Sequence, residues 1–202
     1  MDIYSLANII IPCITLGVSL FTPGVFVSCD RLFKGMLALA AVTELLGWLY
    51  SDSNAFLYNL YMLLLFHGYF YLYFLLNRSS KKRWLLNAGL LTFFWLAELL
   101  YLNGIHHGYF FFTYVGGSLL LLLNVYVYIT HRLNSPAVEN IEHSRYFWIS
   151  IGILVFYIPF LPVFLGVKYA LIHILVFRGI LLLLQILMHT SFIVGIRWGN
   201  RI

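Results

Sequence analysis

Seven apolar stretches, each long enough to cross a bilayer and joined by short polar connections, account for almost all of this 202-residue chain. A hydrocarbon core about 30 Å thick takes roughly 20 residues of helix at 1.5 Å each, and within it every backbone N–H and C=O must be satisfied inside the protein. Helices meet both demands. They are expected near Ser5 to Val27, Gly35 to Tyr50, Phe56 to Leu76, Trp84 to Leu102, Tyr109 to Ile129, Tyr146 to Phe164 and Gly179 to Ile196. The fold class expected is therefore all-α, a polytopic membrane protein with a single seven-helix transmembrane domain over residues 1–202. Composition agrees: 62% of residues are hydrophobic, 9% are charged, and the mean hydropathy is +0.92. A soluble domain carries about 25% charged residues.

The basic residues provide a test of the helix count that is independent of hydropathy, because cytoplasmic loops retain Lys and Arg. With seven crossings, ten of the twelve fall on one side: Arg31, Lys34, Arg78, Lys81, Lys82, Arg83, Arg132, Arg145, Arg197 and Arg201. Only Lys168 and Arg178 fall on the other, and the connections Ser51 to Ala55 and Asn103 to Gly108 hold no Lys or Arg. This places the N-terminus outside and the C-terminus in the cytoplasm. Six or eight crossings would scatter the same charges over both faces. The stretch from Met1 to Ser28 has no basic residue ahead of its apolar run, unlike a cleaved signal peptide, so the first helix is expected to stay in the mature chain.

The net charge of +5 is spread over four short cytoplasmic pieces. Membrane lipid headgroups are its expected partner, and nucleic acid is not. Cys13 and Cys29 lie about 24 Å apart at helical rise, too far for a disulfide. Aromatic residues make up 19% of the chain. Trp48 and Tyr50 at one face, and Trp84, Trp148 and Trp198 at the other, fit an interfacial belt. Tyr58, Tyr61, Tyr69, Tyr71 and Tyr73 crowd one helix, so some of their hydroxyls must point into the bundle. The connection Thr130 to Arg145 has the make-up of a short amphipathic stretch at the cytoplasmic surface. Lys168 to Phe177 is apolar but too short to cross, and is expected to lie along the outer interface or to extend helix seven outward. Pro12, Pro23, Pro159 and Pro162 are expected to kink helices one and six. Glu44-Leu45-Leu46 recurs as Glu98-Leu99-Leu100 in helices two and four, a short match that would fit hairpins added in parallel.

Ionisable groups near the bilayer centre cost roughly 2.5–3.5 kcal/mol on insertion scales and usually face the bundle interior or a wet cavity. At 1.5 Å per residue, Glu44, His67 and His189 all lie about 13–16 Å from the ends of their helices. Asn59 and Glu98 fall about one turn from the outer surface, and Gln185 stands one turn from His189 on the same helix face. The expectation is an outward-facing polar pocket lined by Glu44, Asn59, His67, Glu98, Gln185 and His189 that binds a small molecule or a lipid headgroup. The alternative is a set of separate interhelical hydrogen bonds, worth about 0.6 kcal/mol each on average, which falls short of the insertion penalty for two glutamates. Either glutamate would be neutral there unless a histidine or Arg178 pairs with it.

No nucleotide loop, zinc signature, serine elbow or cofactor lysine appears. Helix seven holds no lysine for a retinal Schiff base. Two histidines and a carboxylate at one depth have the donor types for zinc, yet the only pair one turn apart is Gln185 with His189, and glutamine is a poor ligand, so neither a metal nor a cofactor is expected. His106 and His107 read as solvated surface. Other readings remain open: a Glu/His proton relay; an intramembrane lipid hydrolase with Glu44 or Glu98 as general base; a sensor, carrier or accessory factor with a protein partner or a homo-oligomeric form; a structural subunit with Gly116, Gly117 and Gly195 as its small-residue interface.

At Thr43-Glu44-Leu45-Leu46-Gly47, Leu57-Tyr58-Asn59-Leu60-Tyr61 and Phe147-Trp148-Ile149-Ser150-Ile151-Gly152 the chain resembles a family of uncharacterised small seven-transmembrane-helix proteins of Bacteroidota. The resemblance runs from helix two through helix seven. It implies a bacterial inner (cytoplasmic) membrane and carries no activity with it. The family often has an acidic residue before a phenylalanine in helix three, where this chain has Leu65-Phe66, so no catalytic carboxylate is carried over to this position.

Alkaline phosphatase, which is active only outside the cytoplasm, tests the charge argument. Fused after Gly108 it is expected to be active, and fused after Ile202 inactive; the reverse pattern would invert the topology.

Overall fold

The computed structural model describes residues 3–22, 27–50, 54–77, 81–102, 108–134 and 143–199, and the regular elements among them are all helical. They are α1 (Ile3–Leu20), α2 (Val27–Leu49), α3 (Ala55–Asn77), α4 (Lys81–Ala97) continuing into a π turn at Glu98–Leu102, α5 (Phe111–Leu133), α6 (Arg145–Lys168) and α7 (Ile174–Trp198). Among the described residues six stretches are long and apolar enough to cross a membrane: α2, α3, α4 with its π turn, α5, α6 and α7. The apolar part of α1, Leu6–Leu20, is shorter.

Helix lengths depart from the hydropathy reading at several ends, for two physical reasons. Apolarity marks how far a helix runs in hydrocarbon, whereas backbone hydrogen bonding carries the helix beyond it. The first helix ends at Leu20, short of the expected Val27, ahead of Pro23, and residue Val27 instead opens α2. A residue preceding proline disfavours the helical region. Arg31 and Lys34, expected in a loop, therefore sit in the first turns of α2. There Asp30 complements the positive helix start, and its carboxylate meets the Lys34 ammonium at 2.9 Å, one turn on. Likewise α7 begins at Ile174, so the last four residues of the Lys168 to Phe177 stretch extend the helix, while Lys168 ends α6 and 169–173 form the turn between them. The Thr130 to Arg145 connection is helical as far as Leu133, and its residues 135–142, like His106, His107 and Pro23, lie outside the described residues. Pro159 and Pro162 are both inside one continuous α6.

The surface is unlike that of a soluble bundle. Thr43, Asn59, Asn87, Glu98, Thr113, Ser118, Asn124, Ser150 and His189 are buried, while Leu85, Leu86, Phe93, Leu100, Phe112, Leu123 and Leu183 are exposed. On α4 the buried residues are Asn87 and Leu91. Apolar surface on that scale belongs against lipid.

Close packing separates the chain into two compact units, Met1–Val27 with Ile129–Ile202, and Ser28–Tyr128. In the first, α6 and α7 form a hairpin that approaches closely at glycines. A Cβ on Gly152 would meet the Met188 carbonyl oxygen at 2.8 Å, and one on Gly195 would meet the Arg145 carbonyl oxygen at 2.7 Å and Trp148 Cβ at 2.8 Å. Gly199, one turn on, lies against the Arg145 backbone. This is the small-xxx-small device of membrane helices. The Arg145 side chain is buried and its Nη2 donates to Ile196 O at 3.4 Å, placing a cation at the negative end of α7. Further along, Phe156 stacks on Phe160 (5.3 Å between ring centres) and Phe160 on Phe164 (5.4 Å), with Phe177 of α7 at 5.9 Å from Phe160.

The turn between these helices is closed by backbone alone. Leu171 N–H donates to Gly166 O at 2.7 Å and Ala170 N–H to Val167 O at 3.0 Å, with Ala170 at φ 56°, the arrangement of a Schellman cap. Ile172 then covers Gly166, where a Cβ would meet its Cδ1 at 2.6 Å. The side chain of His173 caps α7, its Nδ1 accepting from Leu175 N–H at 3.3 Å.

In the second unit the same device admits aromatic rings. Gly117 lies against Phe66 and Leu91, Gly116 against Phe94, and Gly68 against Met36. Tyr73 and Tyr128 meet edge to face at 5.8 Å. Gly116, Gly117 and Gly195, expected on an outer interface, thus take up neighbours from their own units.

Gly152→Leu and Gly195→Leu are each expected to lower the melting temperature of the detergent-solubilised protein, in line with an overpacking cost of about 1–3 kcal/mol. Gly179→Ala, where a Cβ meets nothing within 4 Å, serves as the tolerated control. Ala170→Gly is expected to stabilise by roughly 1 kcal/mol by relieving the left-handed backbone, read in the same thermal denaturation assay.

Candidate functional site

Of the six polar residues expected to share one cavity, Glu44, Asn59, His67 and Glu98 belong to the second unit, and Gln185 and His189 to the first. Their partners sort them by what the protein already asks of them.

Asn59 and Glu98 hold the entry to α5. Asn59 Nδ2 donates to Gly108 O at 3.0 Å, and its Oδ1 accepts from Phe110 N–H at 3.0 Å. Its backbone carbonyl accepts from Trp95 Nε1–H at 3.2 Å. Glu98 opens the π turn and turns both carboxyl oxygens to the start of α5: Oε1 accepts from Phe112 N–H at 2.8 Å and Oε2 from Thr113 N–H at 2.7 Å. A helix start leaves its first amides without intrahelical partners and carries partial positive charge, so a two-oxygen anion satisfies it well. Glu98 is 1% exposed, and its burial is explained by these two bonds.

His67 is tied to its own helix and the next. Its Nδ1 lies 2.8 Å from Leu63 O and its Nε2 3.2 Å from Thr92 Oγ1, which itself donates to Ala88 O at 2.8 Å. His189 lies 2.8 Å from Thr15 Oγ1 through its Nδ1, and Thr15 donates to Ile11 O. Because the Thr15 proton is used, Nδ1 is the donor and Nε2 remains an acceptor. One turn away, Gln185 Oε1 is buried with no hydrogen-bond partner among the described residues.

Glu44 is different from the other five. It stands in the body of α2, and its Oε2 accepts from the Tyr58 hydroxyl at 3.0 Å. Tyr58 reaches it with its phenol end against Gly47, where a Cβ would fall 2.5 Å from the phenol oxygen. The same hairpin is closed by Asn54 Nδ2 donating to Gly47 O at 3.4 Å. Tyr109 meets the Tyr58 ring edge to face at 6.2 Å and 66°. Burial first, and the Glu44 charge second, push the Tyr109 phenol above its usual range. Tyr61 shares a face of α3 with Tyr58 at i, i+3. Among the described residues no lysine, arginine or histidine pairs with Glu44.

The sequence singled out Glu44 and expected some hydroxyls of the Tyr58 to Tyr73 run to point into the bundle, but did not join the two, although a signal existed. Glu44 and Tyr58 are 14 residues apart and lie within two turns of the ends of α2 and α3 that the 51–53 connection joins. Asn59 and Glu98 gave no such signal as caps, because Asn59 bonds a backbone amide 51 residues away and Glu98 one 15 residues away across its own loop. Among the described residues no three His, Cys, Asp or Glu side chains gather as metal ligands. Cys13 and Cys29 are both free.

Exposed leucine and phenylalanine around buried amides, hydroxyls and carboxylates define a multi-pass helical membrane protein. No family model, curated protein or solved structure matches the chain.

Glu98→Ala strips partners from two backbone amides, each costing about 1–3 kcal/mol when buried. Hydrogen exchange at Phe112 and Thr113 is expected to accelerate in this variant, with a smaller effect in Glu98→Gln, whose amide keeps a single acceptor oxygen. Unchanged protection in both would show that these carboxylate bonds do not hold the helix start.

Proposed function

We propose that this chain is a multi-pass protein of a bacterial cytoplasmic membrane, of the kind its sequence resembles in Bacteroidota, that binds a small molecule or a lipid headgroup at Glu44. It would act as a sensor, a carrier or an accessory factor. The carrying observation is the state of Glu44: a carboxylate within a membrane-capable helix, with Tyr58 as its hydrogen-bond partner and no basic side chain paired with it among the described residues. Such a group is costly to insert, and its retention is explained by a ligand. Asn59, His67 and Glu98 are proposed to shape the surroundings, since backbone and Thr92 already engage their polar atoms. His189 and Gln185 offer acceptor atoms in the other unit, and a polar ligand group there is proposed on the same ground.

Seven crossings with the N-terminus outside complete the proposal. The 18 residues of α1 rise about 27 Å, close to the hydrocarbon thickness, and the basic residues then collect on the cytoplasmic face.

Native mass spectrometry of protein extracted in mild detergent tests the binding. A non-covalent adduct is expected on the unaltered protein and is expected to fall at least tenfold in Glu44→Gln, with the melting temperature changed by no more than a few degrees. Loss of folded protein in both Glu44→Gln and His189→Ala would favour a packing role for these groups instead.

A further inference from the structure

We infer that the group recognised at Glu44 is a cation of the alkylammonium type, held by the carboxylate and by the tyrosines around it. The inference rests on the proposed binding role of Glu44 and names the chemistry of its ligand.

The surroundings of Glu44 present one electrical sign. Tyr58 donates its only hydroxyl proton to Oε2, so its oxygen offers lone pairs alone to any further partner. Tyr109 and Tyr58 meet edge to face, and Tyr61 follows Tyr58 by one turn on the same helix. Each phenol adds a ring with a negative face to a site that already holds a carboxylate. Aromatic rings beside an acidic group are the recognition surface of ammonium ions, whose diffuse charge is stabilised by ring quadrupoles and by the carboxylate together. A bound anion would be repelled by the carboxylate. A neutral ligand would leave Glu44 without a counter-ion, the state in which a buried carboxyl keeps its proton, whereas an ammonium ion pairs with it as the carboxylate.

The geometry of α2 and α3 favours a site fixed in advance. Gly47 allows the Tyr58 ring to lie against the α2 backbone, and Asn54 ties the end of the same hairpin through Gly47 O. Tyr109 is fixed in turn, because the residues on either side of it, Gly108 and Phe110, are both bonded to Asn59. Trp48, one turn beyond Glu44 on α2 and half-exposed, supplies a fluorescence reporter close to the site.

The test titrates purified protein in detergent with choline chloride and with 3,3-dimethylbutanol, its uncharged carbon isostere, following tryptophan emission and calorimetric heat. In parallel, nanodiscs of phosphatidylglycerol alone are compared with nanodiscs containing phosphatidylcholine or phosphatidylethanolamine, to separate a lipid headgroup from a free ammonium compound. Choline or an ammonium-bearing lipid is expected to bind at least tenfold more tightly than the isostere or phosphatidylglycerol. That preference is expected to drop tenfold or more in Glu44→Gln and severalfold in Tyr58→Phe, which keeps the ring but frees the carboxylate oxygen. Melting curves of both variants check that each is folded. Equal binding of choline and its isostere would overturn the inference. So would a Glu44-dependent adduct that proves neutral or anionic, and in that case the binding role of Glu44 would stand without it. Absence of every adduct and of every probe response would remove both.

Discussion

A helix in hydrocarbon must satisfy every polar group within the protein, and in this chain that requirement decides where the costly side chains go. Glu98 and Asn59 make the point most directly. Both were candidates for ligand contact on their chemistry, and both are used to complete backbone hydrogen bonding at the start of α5. The end of α6 meets the same requirement with backbone alone, through a cap that places alanine where glycine is usual. Thr15, Thr92, Thr190 and Ser150 return their hydroxyl protons to the carbonyl one turn earlier, which removes them from the list of unsatisfied groups without any partner helix. Once these demands are met, Glu44 stands out as a carboxylate serving no helix end.

Small residues supply the second organising element. Gly152, Gly195 and Gly199 bring the α6 and α7 backbones together, while Gly117, Gly116 and Gly68 make room for Phe66, Phe94 and Met36. With no hydrophobic force between helices in lipid, such close approach is what gives dispersion a surface to act on. Aromatic rings fill the spaces left by Gly47, Gly116, Gly117 and Gly152, a use for such side chains beyond an interfacial belt.

The helical class and the existence of each helix were legible because lipid imposes a single long apolar period on the sequence. Six helices meet that standard of length and apolarity, and α1 falls below it. Helix ends were less legible. The beginning of α2 is charged, with Asp30, Arg31 and Lys34 in its first turns, so hydropathy started the helix at Gly35. The candidate residues were found by their rarity in apolar sequence, which is a sound guide to where polar groups are and a poor one to what they touch. His67 bonding Leu63 O four residues away was within reach of helical arithmetic. Glu98 facing Thr113, and His189 facing Thr15 across 174 residues, were not, because nothing local encodes them.

The π turn at Glu98 carries a consequence for how the protein reaches its bilayer. Until the amides of Phe112 and Thr113 arrive, the Glu98 carboxylate has no backbone donors to offset its transfer out of water, and until Glu98 arrives those amides are equally bare. Neither helix is well suited to leave the translocation machinery alone. Helices α4 and α5 thus complete each other's polar requirements, the carboxylate of one offsetting the bare amides of the other.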